Sequence, residues 1–115
     1  MPLLKLQITE TVSSEKKSAA LSALSKIMTE TLSKPETYVM AVIEQTDIIM
    51  SGKIGSAAFA DIKSIGAINS ETTSELTRKI CAYLDKEFKI PSSRVYVNFS
   101  DIPGALWGWN GSTFG

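Results

Sequence analysis

The chain has 115 residues, 43% hydrophobic and 21% charged, with twelve Lys and Arg balanced by twelve Asp and Glu. That length suits one domain, residues 1–115, able to bury roughly two-thirds of its unfolded surface without disulfides or metal. Zero net charge without a basic run argues against a nucleic-acid surface built on phosphate neutralisation, and the short apolar runs argue against a membrane span or signal peptide.

Cys81 is the single cysteine, so no internal disulfide or thiolate metal cluster is expected, and a reducing cytoplasm is the default compartment. The chain has no histidine, the usual general base near neutral pH and the commonest metal ligand. Neither metal nor cofactor is expected. Acid–base chemistry here would fall to a perturbed carboxylate, Cys81, a desolvated lysine, or the terminal amine, whose ordinary pKa of about 7.7–8.0 already lies near neutrality.

The first segment, MPLLKLQITE, alternates Leu4, Leu6 and Ile8 with Lys5, Gln7 and Thr9, the period of a half-buried strand. Pro2 admits two readings. It suits a strand's first residue, having no amide hydrogen to give. As a small second residue it also favours removal of Met1, which would leave a free secondary amine.

From Ser14 the chain carries one pattern twice, offset by 56 residues, with Ser14-Glu15 falling on Ser70-Glu71 and Pro35 on Pro91. Leu24 falls on Ile80, Met28 on Leu84, Leu32 on Phe88 and Val39 on Val95, while the strand around Leu6 falls on the one around Ile62. Each copy reads strand, helix, strand. Ser13 or Ser14, and Asn69 or Ser70, are N-cap types, with Glu15 and Glu71 in the first turns. Leu21, Leu24, Met28 and Leu32 form one apolar stripe; Leu76, Ile80, Tyr83, Leu84 and Phe88 form the other. Pro35 and Pro91 close the helical regions before the strands YVMAVIEQ and RVYVNFS. Two strand–helix–strand crossovers give an α+β fold: a four-stranded mixed sheet with both helices on one face and a pseudo-two-fold axis. YVMAVI is apolar on both faces, so its helix-free face is expected to meet another subunit. The tail, DIPGALWGWNGSTFG, either packs its aromatics on its own domain or forms an arm that pairs with a neighbour and walls a pocket.

Pro2 after the initiator, KPETYV at 34–39, SIG at 64–66, RVYVNF at 94–99 and the final GWNGSTFG occur in one order across the whole chain. With these features the chain resembles the macrophage migration inhibitory factor family of the tautomerase superfamily. The resemblance implies a homotrimer with sites at subunit boundaries. It also implies a keto–enol tautomerase, an isomerase that acts on phenylpyruvate, p-hydroxyphenylpyruvate and D-dopachrome with the N-terminal proline amine as base.

Residue by residue, the resemblance makes Pro2 the base and Lys34 the cation that depresses its pKa and holds the substrate carboxylate. On its own, Lys34 reads as a solvated lysine at a helix end. Ile65 matches a position whose backbone amide meets substrate, with Ser64 beside it; both also read as strand residues before a turn at Gly66. Tyr96 and Asn98 match residues that reach a neighbouring subunit's pocket. Tyr38, Trp107, Trp109 and Phe114 match pocket or rim positions. The chain departs from the pattern in three places. It has no Cys-x-x-Cys before SIG, so thiol–disulfide exchange is not expected and Cys81 reads as a packing residue on its helix. Trp107 stands where a small aliphatic residue is usual, which bears on substrate preference. SSEKK and TDIIMSGKIGS differ from the best-known members, so no receptor contact carries over. The family leaves cells without a signal peptide, so non-classical secretion is compatible with the sequence. The alternatives are a signalling protein that binds a host receptor and keeps the pocket as a relic, or a structural trimer without turnover.

Overall fold

The computed structural model describes residues 1–115. The main sheet has four strands, β1 (Pro2–Ile8), β2 (Met40–Gln45), β5 (Ala58–Ser64) and β6 (Val95–Asp101), in the order β2-β1-β5-β6. β1 pairs parallel with β2, β5 pairs parallel with β6, and β1 meets β5 antiparallel at the centre. Helices α1 (Ser14–Leu32) and α2 (Ser70–Phe88) cross over between the parallel partners. Two short hairpins lie outside the sheet: β3 (Ile49–Met50) with β4 (Lys53–Ile54), and β7 (Gly108–Trp109) with β8 (Ser112–Thr113).

The repeat holds in backbone detail. Each helix runs 19 residues and ends in a left-handed residue, Ser33 and its mate Lys89. Ser13 caps α1 by accepting from the Lys16 amide, and Asn69 caps α2 within a capping box. The register is shared as well: Leu3 pairs with Met40 as its mate Phe59 pairs with Tyr96. At the centre Lys5 pairs with its own mate, Asp61, which places the pseudo-two-fold axis there.

The core lies between sheet and helices. Leu4, Leu6 and Ile8 from β1, Ala58, Ala60 and Ile62 from β5, and one stripe from each helix are buried in it. On α1 the buried stripe is Ala20, Leu24, Met28 and Leu32 rather than one led by Leu21, which is only half-buried. The small Ala20 lets the first turns approach the sheet, so Leu21 is left on the flank. On α2 the stripe is Leu76, Ile80, Leu84 and Phe88, with Tyr83 half-buried beside it.

Two strand starts shift from the expected positions. Pro35 leads a 3-10 turn, Glu36–Tyr38, closed by bonds from the Tyr38 amide to Pro35 O (3.1 Å) and the Val39 amide to Glu36 O (3.0 Å). That turn takes Tyr38 out of the strand, so β2 begins at Met40. Pro91 does the same over Ser92–Arg94, and β6 begins at Val95. Pro103 leads a third such turn, Gly104–Leu106. On the helix-free face the apolar Met40 and Val42 of β2 are part of a mixed surface. Leu3, Met40, Val42, Phe59 and Tyr96 surround a polar centre, where Lys5 pairs with Glu44 at 3.7 Å and Lys63 with Asp61 at 2.8 Å. The central strands alternate polar and apolar in the usual manner of a half-covered sheet.

Candidate active site

The head of β1 gathers the first group of expected site residues. Pro2 is fully buried and pairs with Ser64 across the antiparallel ladder. The Ile65 amide donates to Met1 O at 3.3 Å, and the Ile102 amide donates to Ser64 O at 2.8 Å. Residues 1 and 65 are therefore a hydrogen-bonded pair, and Pro2 and Ser64 a non-bonded one, in which side chains stand closest. In this alternation the nitrogen of Pro2 points away from β5, toward β2 and the Lys34–Tyr38 turn.

Lys34 reaches the same end of the sheet. Its Nζ comes within 3.9 Å of where a Cβ on Gly66 would stand, and Gly66 has φ +79°, so glycine serves the turn. Thr29 Oγ1 donates to the Lys34 carbonyl and ties its backbone to the last turn of α1. Asp101 Oδ1 accepts from the Gly66 amide at 2.9 Å and braces the turn after Ile65 from β6. The terminal amine, carried here by Met1, is held below its ordinary value, first by burial and then by the Lys34 ammonium. The sign is the one a neutral amine base requires.

The aromatic tail divides. Trp109 meets Tyr38 edge-on, with ring centroids 5.7 Å apart, and stacks on Phe114 at 5.8 Å. Asn110 and Gly111 both have positive φ and make the tight β7–β8 turn. The Phe114 amide donates to Gly104 O and Trp107 O, which pins the tail to its own chain. Trp107 lies apart from this cluster. It lines an open groove of about 420 Å³ with Leu3, Lys63, Ile102, Leu106 and Gly108 on the helix-free side. Lys63, Leu3 and Asp101 were not singled out in the sequence; the alternation of β1 and β5 around Pro2 and Ser64 was the signal for the first two.

Tyr96 and Asn98 stand elsewhere. Both are exposed on the edge strand β6, in register with Phe59 and Asp61, hence with Gln7 and Lys5 of β1. At about 3.4 Å per residue and 4.8 Å per strand, Tyr96 lies roughly 20 Å and Asn98 roughly 14 Å from Pro2 of the same chain. Ser64 turns toward the helices and is fully buried, so its hydroxyl does not face the open groove. Cys81 is half-buried on α2, its thiol pushed up by burial and partly offset by a hydrogen bond with Ser92, as suits a packing residue. A roomier depression of about 510 Å³ is lined by Thr73, Ser74, Thr77, Arg78 and Phe99 and offers no base. No helix is long and apolar enough to cross a membrane.

Comparison with known proteins agrees with this fold. The family model described as macrophage migration inhibitory factor matches residues 1–115. The macrophage migration inhibitory factor of Xenopus tropicalis is 36% identical over 95 residues, covering 82% of this chain and 83% of its own. A homolog from Trichinella spiralis is 38% identical over 96 residues with the same coverage. The crystal structure of the Prochlorococcus marinus homologue superposes with a TM-score of 0.92 at 36% identity, covering 98% of this chain and 99% of that one. The chain belongs to the macrophage migration inhibitory factor family.

Proposed function

We propose that the protein is a keto–enol tautomerase of aromatic 2-oxo acids such as phenylpyruvate and p-hydroxyphenylpyruvate, with D-dopachrome as a further substrate and the Pro2 amine, freed by loss of Met1, as its base. The observation that carries this reading is a rung of the central ladder. The Ile65 amide bonds Met1 O, and its pseudo-symmetric mate, the Thr9 amide, bonds Ala57 O at 3.2 Å. Ala57 is permanent, and Thr9 reinforces its rung by accepting from the Ala57 amide through Oγ1. Met1 is removable. Its loss deletes one rung at one end only, freeing the Ile65 N–H beside a new amine, at the end of the sheet where burial and Lys34 lower the pKa of the Met1 amine.

The chemistry follows from these groups. The neutral Pro2 amine takes a proton from the carbon next to the ketone, leaving an enolate and a prolinium. The prolinium then gives a proton to the former carbonyl oxygen, which yields the enol and restores the amine. Lys34 holds the carboxylate by a charge-assisted bond, and the Ile65 amide meets a substrate oxygen where Met1 O stood. The Tyr38–Trp109–Phe114 cluster supplies an aromatic wall.

A homotrimer completes the pocket in this reading. β2 and β6 are uncovered edges, and Met40 (63% exposed), Tyr96 (68%) and Ile54 (85%) await cover. Tyr96 and Asn98, too far from their own Pro2, serve a neighbour's pocket as wall and as partner for the substrate's ring end. A receptor-binding role alone would leave the depressed amine without a use. The test is phenylpyruvate tautomerisation by Pro2→Gly, which keeps a terminal amine but loses the ring's basicity and placement. Turnover is expected to fall by about 10²–10⁴, the scale of general-base catalysis; an unchanged rate would remove Pro2 from the mechanism.

A further inference from the structure

Loss of Met1 takes the ladder partner from the Ile65 amide, the donor given above to a substrate oxygen. Two bonds from β6 still hold the backbone around it. The Ile65 N–H shares its peptide unit with Ser64 O, and that oxygen accepts from the Ile102 amide at 2.8 Å. The next peptide unit carries the Gly66 amide, which donates to Asp101 Oδ1 at 2.9 Å. Asp101 and Ile102, neighbours in sequence, therefore grip the two peptide units that flank Ile65. The chain's three ion pairs lie elsewhere, so the Asp101 carboxylate is left to the Gly66 amide as a charge-assisted bond.

The opposite end of the ladder is held differently. Under the 56-residue repeat Ile65 falls on Thr9, Ile102 on Thr46 and Asp101 on Gln45. The backbone bond is kept there, from the Thr46 amide to Ile8 O at 2.9 Å. In place of a carboxylate on the turn, Gln45 Nε2 donates to Thr11 Oγ1 at 2.9 Å. That end keeps its rung, from the Thr9 amide to Ala57 O, and doubles it through Thr9 Oγ1, so its turn needs no further brace from the edge strand. The carboxylate stands only at the end whose rung is removable. Gly66 sharpens the need, since at φ +79° the turn depends on the residue with the most backbone freedom to lose.

We infer that Asp101 is a positioning residue: its carboxylate takes over the bracing of the Ile65–Gly66 turn when Met1 leaves, and so keeps the freed Ile65 N–H aimed at the substrate oxygen. This rests on the Ile65 amide serving the Pro2-based reaction. It gives Asp101 no contact with substrate, and no part in the depression of the terminal amine, which comes from burial and Lys34.

The experiment compares wild type, Asp101→Ala and Asp101→Asn, each in processed and Met1-retaining form, by the ¹⁵N order parameter of the Ile65 amide. Phenylpyruvate turnover is measured on the processed forms and on Pro2→Gly. In processed Asp101→Ala the order parameter should fall from the rigid-backbone value of about 0.85. Its kcat/KM should fall about tenfold, because a displaced group at the site costs rate steeply with distance. In Met1-retaining Asp101→Ala the order parameter should hold, since Met1 O still accepts from Ile65; that preparation also shows that the variant folds. Asp101→Asn keeps an acceptor oxygen and should restore both readouts. An equal loss of order in the two forms of Asp101→Ala would mark a brace of the fold alone and overturn the inference. So would an Asp101→Asn protein as slow as Asp101→Ala. Wild-type order and kcat/KM in processed Asp101→Ala, while Pro2→Gly is slow, would overturn this inference and leave the base assignment standing. Full activity in Pro2→Gly would overturn both.

Discussion

Lys34→Ala separates the two duties given to this cation. The lysine follows the left-handed cap Ser33, and its backbone carbonyl, not its side chain, takes the bond from Thr29. The substitution should therefore leave stability within about 0.5 kcal/mol, as for surface changes that break no specific contact. The first duty is to hold the carboxylate. A hydrogen bond to a charged group contributes about 1.5–3 kcal/mol, so KM should rise roughly 10- to 150-fold. The second duty is to depress the amine. A neighbouring cation disfavours the ammonium, so removing it raises the amine's pKa. For the terminal amine at this end of the sheet burial is the larger cause and Lys34 the second, so the rise should be partial and the depression by burial should survive. The acid limb of kcat against pH should move upward, while the plateau at high pH changes little. Lys34→Arg keeps the charge and should restore the limb. The assay is steady-state phenylpyruvate turnover between about pH 5 and 9, with kcat and KM resolved separately. An unchanged KM and an unmoved limb in a folded Lys34→Ala protein would refute both roles.

Three further outcomes are expected. Light scattering at micromolar concentration should report three copies of the 12.5 kDa chain; a monomer would take Tyr96 and Asn98 out of the site. Tyr96→Ala, exposed in the single chain, should lower kcat/KM for phenylpyruvate without lowering the trimer's mass, and a full rate would detach it from a neighbour's pocket. Cys81→Ser should leave tautomerisation unchanged, and neither protein should reduce insulin disulfides, because a single thiol cannot cycle through an internal disulfide; a large loss of turnover with the fold intact would mean that the thiol has a role in the site.

The repeat was legible because core residues and chain punctuation recur together. Ser13 and Asn69, Leu24 and Ile80, and Pro35 and Pro91 keep one spacing, and the sheet order follows from two right-handed crossovers. Boundaries were less legible. Pro35 and Pro91 read as helix terminators, yet each also starts a 3-10 turn that moves the next strand one or two residues on. Of the four prolines, only Pro2 leads no such turn. The hairpin at 49–54 left little signal beyond Ser51-Gly52, both with positive φ, because two-residue strands have no periodicity to read. At the site, Pro2, Lys34 and Ile65 were named from the resemblance, and the structure brings their backbones to one sheet end. Trp107 was set apart from Trp109 in the sequence only as standing where a small aliphatic residue is usual; in the fold Trp109 meets Tyr38, while Trp107 lines a separate groove. The bond from the Gly66 amide to Asp101 is a three-dimensional fact with no sequence signature.

The central claim is that loss of Met1 creates the base and opens the Ile65 donor. The most direct measurement pairs the intact N-terminal mass with phenylpyruvate turnover, on one preparation that lacks Met1 and one that keeps it. The processed protein should turn over. The Met1-retaining protein, its proline nitrogen an amide and its Ile65 amide still bonded to Met1 O, should be slower by at least the roughly 10²–10⁴ of general-base catalysis. Equal rates in the two preparations, with the masses verified, would contradict the account.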